Sequence, residues 1–490
     1  MTVQKPLSEL NSFGDVAAED DAVLEYFLST NAVESIEQGK VFLVLGRKGT
    51  GKTALVRYFS EGSAATTSRP LSLRGYPWSI HAQRIDYGAS EIEAYVSSWR
   101  YLIAVELASL LLTLPGSSRT YKTEVLSKFL EENYGGPNPD LSKILQPKRI
   151  TLSKLSFTPA IMGNQLGGVE LERKKGDHNF GLELNALSQS IMTAIIDAAK
   201  AMGVKSLSLH FDELDQGLDR LNDERRHMLV GLVLAAREVR RESIGEGLAV
   251  NPVVYLRSDL WDEMNFSDKN KISQSLTLHL NWKSHELLNL INERLRAKLG
   301  AGATWDTVSA PELMRGSQTK WNHVLARTFD RPRDVIQFLN IALAEAKRRD
   351  AVDTIIKNED IVASRDAYSS YLKSELDDEV GPHWPQWVEA LGACSNISTL
   401  TFEREAFKDQ YGKRKSPNNP VDGDLALELM HRFSIVGYET RSGYGGSAWS
   451  FRYSDPSAGW DNSASKFKVH LGLKEYAKLR ETRLASSQQG

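Results

Sequence analysis

Residues 46–59 read GRKGTGKTALVRYF, directly after the apolar run KVFLVL at 40–45. An apolar strand broken by glycine and positive charge, then continued as a helix, needs a reason. Gly46, Gly51, Lys52 and Thr53 match G-x-x-x-x-G-K-[ST], the Walker A signature. Glycines let the backbone wrap a phosphate chain with its amide hydrogens turned inward, and the following helix adds the positive end of its dipole. On this reading Gly46, Arg47, Lys48, Gly49, Thr50 and Gly51 form the cradle. Lys52 bridges the β- and γ-phosphates, and the Thr53 hydroxyl serves Mg²⁺. The competing bland reading is a glycine turn with a solvated lysine.

A second motif completes the first. LSLHFDELD, residues 207–215, is an apolar strand ending in Asp212 and Glu213, a Walker B pattern. Asp212 is expected to hold Mg²⁺, and Glu213 to orient or deprotonate the attacking water, with Lys52 as its catalytic partner on the phosphate. Asp215 is a weaker candidate. NPVVYLRSDL, residues 251–260, ends a further strand in Arg257, Ser258 and Asp259. A polar residue at such a tip either contacts the γ-phosphate or makes a salt bridge and caps a helix, and the sequence leaves both open. In FDRPRDVIQFLN, residues 329–340, Arg331 and Arg333 flank Pro332 at a helix start. Either arginine is a candidate sensor that couples nucleotide state to a lid, with Arg333 ahead of Arg331.

The rest of the chain fits around these motifs. Its 490 residues are 41% hydrophobic and 25% charged, which supports several cores, and a net charge of -3 gives no overall basic field for nucleic acid. The single cysteine, Cys394, excludes an intrachain disulfide and a cysteine-based zinc site, and points to the cytoplasm. The first residues lack the apolar stretch of a signal peptide. The greasiest run, Leu102 to Leu114, is short for a bilayer and carries Glu106, so a buried helix and no membrane partner are expected.

AEDDAVLEYFLST reads as a short helix, and ASEIEAYVSSWRYLIAVELASLLLTLP as a long one ended by Pro115. Strands alternating with helices predict an α/β fold, a parallel sheet with helices on both faces. That core should span 1–283, with a partly flexible insertion at about 116–187. A helical lid should follow at 284–380. GPHWP near Gly381 reads as a hinge, and 381–490 as two or three helices and a hairpin, the order of a winged helix.

GRKGTGKT, LHFDELD, YLRSDLW and RPRDVIQFLN, in this order and before a winged-helix-like unit, resemble AAA+-type P-loop ATPases of the additional-strand class, near the origin-recognition and STAND-like branch. FGDVAAEDD ahead of FLVLGRKGTGKTAL is similar to a group of bacterial P-loop ATPases often encoded in anti-phage defence loci. The resemblance implies an ATP- and Mg²⁺-dependent hydrolase that switches self-assembly or the binding of a separate effector protein. It also calls for an arginine finger, which the sequence does not single out from Arg225, Arg226, Arg237, Arg240 and Arg241. The alternatives are an ATP-liganded regulator that binds DNA through Lys413, Arg414, Lys415 and Arg441, and a nucleotide-loaded scaffold for an effector. The absence of N-K-x-D favours ATP over GTP.

Overall fold

The computed structural model describes residues 5–28, 30–62, 67–74, 76, 91–117, 120–145, 149–151, 160–161, 164–165, 170–172, 180–215, 222–441, 447–455 and 459–481. It divides into two compact units. One holds 29–47 and 51–280; the other holds 1–28, 281–490 and the three residues 48–50.

The first unit is a parallel α/β sheet, as the alternation of strands and helices predicts. Its strands are β1 (Leu43–Gly46), β2 (Ser68–Ser72), β3 (Ser206–Asp212), β4 (Ala249–Arg257) and β5 (Thr277–His279), in the spatial order β2-β3-β4-β1-β5. The strand after the acidic one thus lies between it and the loop strand. β1, β3 and β4 are central and almost wholly buried: β1 and the second half of β4 are continuous apolar runs, while β3 sets Leu207, Leu209 and Phe211 between polar residues. β2 escapes a reading of the sequence because it is polar and carries Pro70. An edge strand tolerates proline, since one side of it owes no ladder hydrogen bond.

Helix α1 (Lys52–Glu61) follows the glycine loop and packs on β2 and β3. Helix α2 (Glu91–Thr113) is apolar all round and long enough by composition to cross a membrane, but 78% of that stretch is buried in the unit. Its Glu106 is buried against Arg69, 3.1 Å away, so the charge is paired. Helix α3 (Tyr121–Tyr134) lies inside the expected insertion yet buries Leu126, Phe129 and Leu130 in the same core. The insertion is therefore not loose at its start; α3 packs on α4 (Phe180–Met202), which begins earlier than its apolar pattern suggests. Most of 146–179 lies outside the described residues. Helix α5 (Asp223–Gly245) crosses α2 closely at Gly231, where an added Cβ would sit 2.6 Å from the Tyr95 Cβ.

The second unit is built on α6 (Ser284–Leu299), α7 (Pro332–Arg349) and α8 (Asn358–Val380), whose Leu287, Ile291, Phe338, Leu339, Tyr368 and Leu372 share one core. The N-terminal residues belong here and not with the sheet. Phe13 donates its amide to Asn340 Oδ1 at 2.8 Å, and Arg294 binds both the Phe13 carbonyl at 3.0 Å and Asp21 at 2.8 Å. The helix expected of AEDDAVLEYFLST is reduced to a 3-10 turn, Val23–Tyr26, because Asp21 and the Tyr26 ring are both taken by Arg294.

After α8 come α9 (Trp387–Ile397), β6 (Thr401–Glu403), α10 (Arg404–Arg414), α11 (Gly423–Arg432), β7 (Val436–Arg441), β8 (Ser447–Ser450) and β9 (Lys466–Val469). β7 and β8 form the foreseen hairpin; its turn lies outside the described residues. β9 enters between β6 and β7, giving a four-stranded sheet in the order β6-β9-β7-β8. The segment expected to be a hinge is packed: Trp384 and Trp387 are both buried in the core that includes α8, and among the described residues those after Gly381 share that core.

Candidate functional site

The carboxyl ends of the parallel strands bring the sequence motifs of the first unit to one edge. In register, Gly46 lies beside Arg257, Phe211 beside Val254, and Ser72 beside Asp212. Ligands bind at this edge of a parallel sheet because the loops there leave a crevice outside the strand ends. Gly51 is the N-cap of α1 with φ 97°, a left-handed conformation that glycine adopts without strain. Lys52 turns its ammonium back into the loop and donates to the carbonyls of Gly46 at 2.9 Å and Arg47 at 3.0 Å. Burial lowers its pKa, while the carboxylates of Asp215 and Asp212 hold it up.

Asp212 is 6% exposed. Burial raises its pKa, opposed by the Glu213 amide, the Thr53 hydroxyl and the Lys52 charge. A carboxylate and a hydroxyl in hydrogen-bond contact are hard oxygen donors of the kind Mg²⁺ takes, and that ion needs only one or two of them from protein. Among the described residues no group of three or more His, Cys, Asp or Glu side chains forms a metal cage.

Glu213 has φ 60°, an uncommon conformation for a residue with a side chain and one that concentrates at functional sites. Its Oε2 accepts from the Ser72 hydroxyl on the neighbouring strand, and Arg74 Nε stands 3.6 Å from Oε1. Neither partner carries a signal in the sequence, since β2 itself was not legible. Asp215, the weaker acidic candidate, pairs with Arg257 at 3.3 Å. Arg257 also grips Asp259 through Nε at 3.0 Å and Nη2 at 2.6 Å, and it occupies the N-cap position of the helix Ser258–Glu263 without a side-chain capping hydrogen bond. The strand tip thus carries ion pairs to Asp215 and Asp259. Beneath the edge, His210 is fully buried, stacked on Phe59 and 3.0 Å from the Tyr255 hydroxyl; burial lowers its pKa to about 3 and keeps it neutral. Of the arginines considered as fingers, Arg226 meets Asp223 and Glu263, and Arg237 meets Asp268.

In the second unit, Arg331 is the N-cap of α7 and 1% exposed. Its Nε donates to Asp334 at 2.7 Å, and Nη1 donates to Glu379 and, at 2.7 Å, to the carbonyl of Lys48. Arg333 donates to the Val16 carbonyl at 3.0 Å and to Glu375 at 3.2 Å. Its amide points at the Gly49 carbonyl, 3.4 Å away. Trp282 Nε1 donates to the Thr50 carbonyl at 2.8 Å, and Lys48 Nζ binds Asp378 at 2.7 Å. Gly49 has φ 81°, and a Cβ there would lie 2.7 Å from the Arg333 Cβ. In the C-terminal part, Lys413 is paired with Asp409 at 2.5 Å, and the Arg414 guanidinium packs over Gly392. Asp424 of α11 takes Arg404 at 2.9 Å and Lys408 at 3.1 Å.

Residues 285–377 match the family described as FunZ-associated C-terminal helical domain. No curated protein matches the chain. Among solved structures, the Orc1 protein of Aeropyrum pernix in complex with DNA is similar at 12% identity over 91% of this chain and 90% of that one, with a TM-score of 0.35. Cdc6p of Pyrobaculum aerophilum is similar at 12% identity over 91% and 89%, with a TM-score of 0.28.

Proposed function

We propose that the chain is an Mg²⁺-dependent ATPase, and that nucleotide state governs its assembly or its binding of a partner protein. The observation that carries the reading is the Thr53–Asp212 contact beside Lys52, at the carboxyl edge of the sheet and directly behind a glycine loop. Lys52 neutralises phosphate charge, and its ammonium already lies within the loop. Thr53 and Asp212 would hold the metal, which would supply charge neutralisation to the phosphate chain. Glu213 takes the proton of the attacking water, and Ser72 and Arg74 fix the direction of its carboxylate. A sensor role for Arg257 and Arg333 is carried by sequence order alone.

A place in anti-phage defence follows from the resemblance of the N-terminal stretch, and the match of 285–377 to a FunZ-associated domain is in keeping with it. The test of the core reading is binding of ATP with Mg²⁺ by calorimetry. The parent chain should bind and Lys52→Ala should lose binding or turnover while melting at the parent temperature. Normal hydrolysis by a folded Lys52→Ala chain would refute the assignment of the loop.

A further inference from the structure

Three consecutive carbonyls, those of Lys48, Gly49 and Thr50, are approached from outside the loop by donors of their own unit. Arg331 holds the first at 2.7 Å and Trp282 the third at 2.8 Å, while the Arg333 amide makes a longer approach of 3.4 Å to the second. A trans peptide is planar, with its carbonyl and the next residue's N–H pointing in opposite directions. Fixing the carbonyls of 48, 49 and 50 therefore fixes the amides of Gly49, Thr50 and Gly51 on the side away from the donors. Arg331 is itself held: Nε donates to Asp334, Nη1 donates to Glu379 as well as to the Lys48 carbonyl, and Phe329 lies under the guanidinium at 5.2 Å. A buried guanidinium with two carboxylates has no freedom to swing onto a ligand without leaving both acids unpaired.

We propose that Arg331 and Trp282 are positioning residues that aim the amides of Gly49, Thr50 and Gly51 at the phosphate chain of a nucleoside polyphosphate, and that Arg331 is not itself a phosphate sensor. This rests on the phosphate-loop reading above. It gives the side chains a consequence that a sensor lacks. A γ-phosphate sensor separates ATP from ADP. A residue that orients the whole loop weakens both alike and leaves the chemical step, set by Glu213, untouched.

The full-length chain serves for the test, with Trp282→Phe, which removes one N–H and keeps an aromatic ring, and Arg331→Lys, which keeps the charge for Asp334 and Glu379. ATP and ADP binding with Mg²⁺ is measured by calorimetry, kcat and KM by phosphate release, and folding by thermal melting. Each variant should bind both nucleotides five- to tenfold more weakly, with KM raised alike and kcat within twofold of the parent. Weaker binding of ATP alone in Arg331→Lys would overturn the proposal in favour of a sensor. Parental affinity in a folded Trp282→Phe chain would overturn it outright, and that variant decides the matter if Arg331→Lys does not fold. Lys52→Ala, run alongside, separates the two levels. If it loses nucleotide while both other variants keep parental affinity, only the positioning role has failed; if all three bind normally, the phosphate-loop reading has failed.

Discussion

Replacing Glu213 by Gln removes a proton acceptor while keeping the shape of the side chain. The amide oxygen still accepts from the Ser72 hydroxyl, so that contact survives. The ion pair with Arg74 is lost, but at 3.6 Å and with Arg74 67% exposed it is worth well under about 1 kcal/mol. The unusual φ of 60° is as costly for Gln as for Glu, so the backbone term is unchanged. Stability should therefore move by less than about 1 kcal/mol. Turnover should fall much further. A positioned general base contributes about 10²–10⁴-fold, which is about 3–5 kcal/mol of barrier. We expect ATP to remain bound at parental affinity and phosphate release to slow by about 10²–10³-fold, read by single-turnover hydrolysis with trapped ATP. Turnover within threefold of the parent would refute the catalytic role. Loss of ATP affinity with little change in turnover of the bound fraction would move Glu213 from base to metal holder.

Two further expectations concern stability. Gly231→Ala places a Cβ 2.6 Å from the Tyr95 Cβ where α5 crosses α2, so overpacking should outweigh the gain in helix propensity and cost about 1–3 kcal/mol, measured by urea unfolding; an unchanged midpoint would mean the helices part freely. Asp330 has its pKa raised from 3.8 to about 6 by burial and by Asp334. A carboxyl with a raised folded pKa binds more protons folded than unfolded, so its penalty is absent below about pH 4, grows up to about pH 6 and is full above. Asp330→Asn should therefore stabilise the chain by about 1–3 kcal/mol at pH 7.5 and by nothing at pH 3.5, and asparagine suits the φ of 48° there; equal effects at both pH values would refute the linkage.

What the sequence determined by itself is whatever is local. A loop signature needs eight consecutive residues, a buried strand announces itself by an apolar run, and α6, α7 and α8 by apolar spacing, so Lys52, Thr53, Asp212 and Glu213 were all legible as candidates. The edge strands were not: β2 carries Pro70 and polar residues, and β5 is three residues long, because one open side relaxes the demand for apolar content. The helix expected near Asp21 yielded to a tertiary ion pair with Arg294, and propensity alone gives no warning of a partner so far along the chain. Only the tertiary structure decided what surrounds the motif residues. Ser72 reaches Glu213 across 141 positions, Trp282 reaches Thr50 across 232 and Arg331 reaches Lys48 across 283. No periodicity spans such intervals, and in the last two a hydrogen bond to a backbone carbonyl asks only for a donor in the right place and leaves no requirement on the residue that owns the carbonyl.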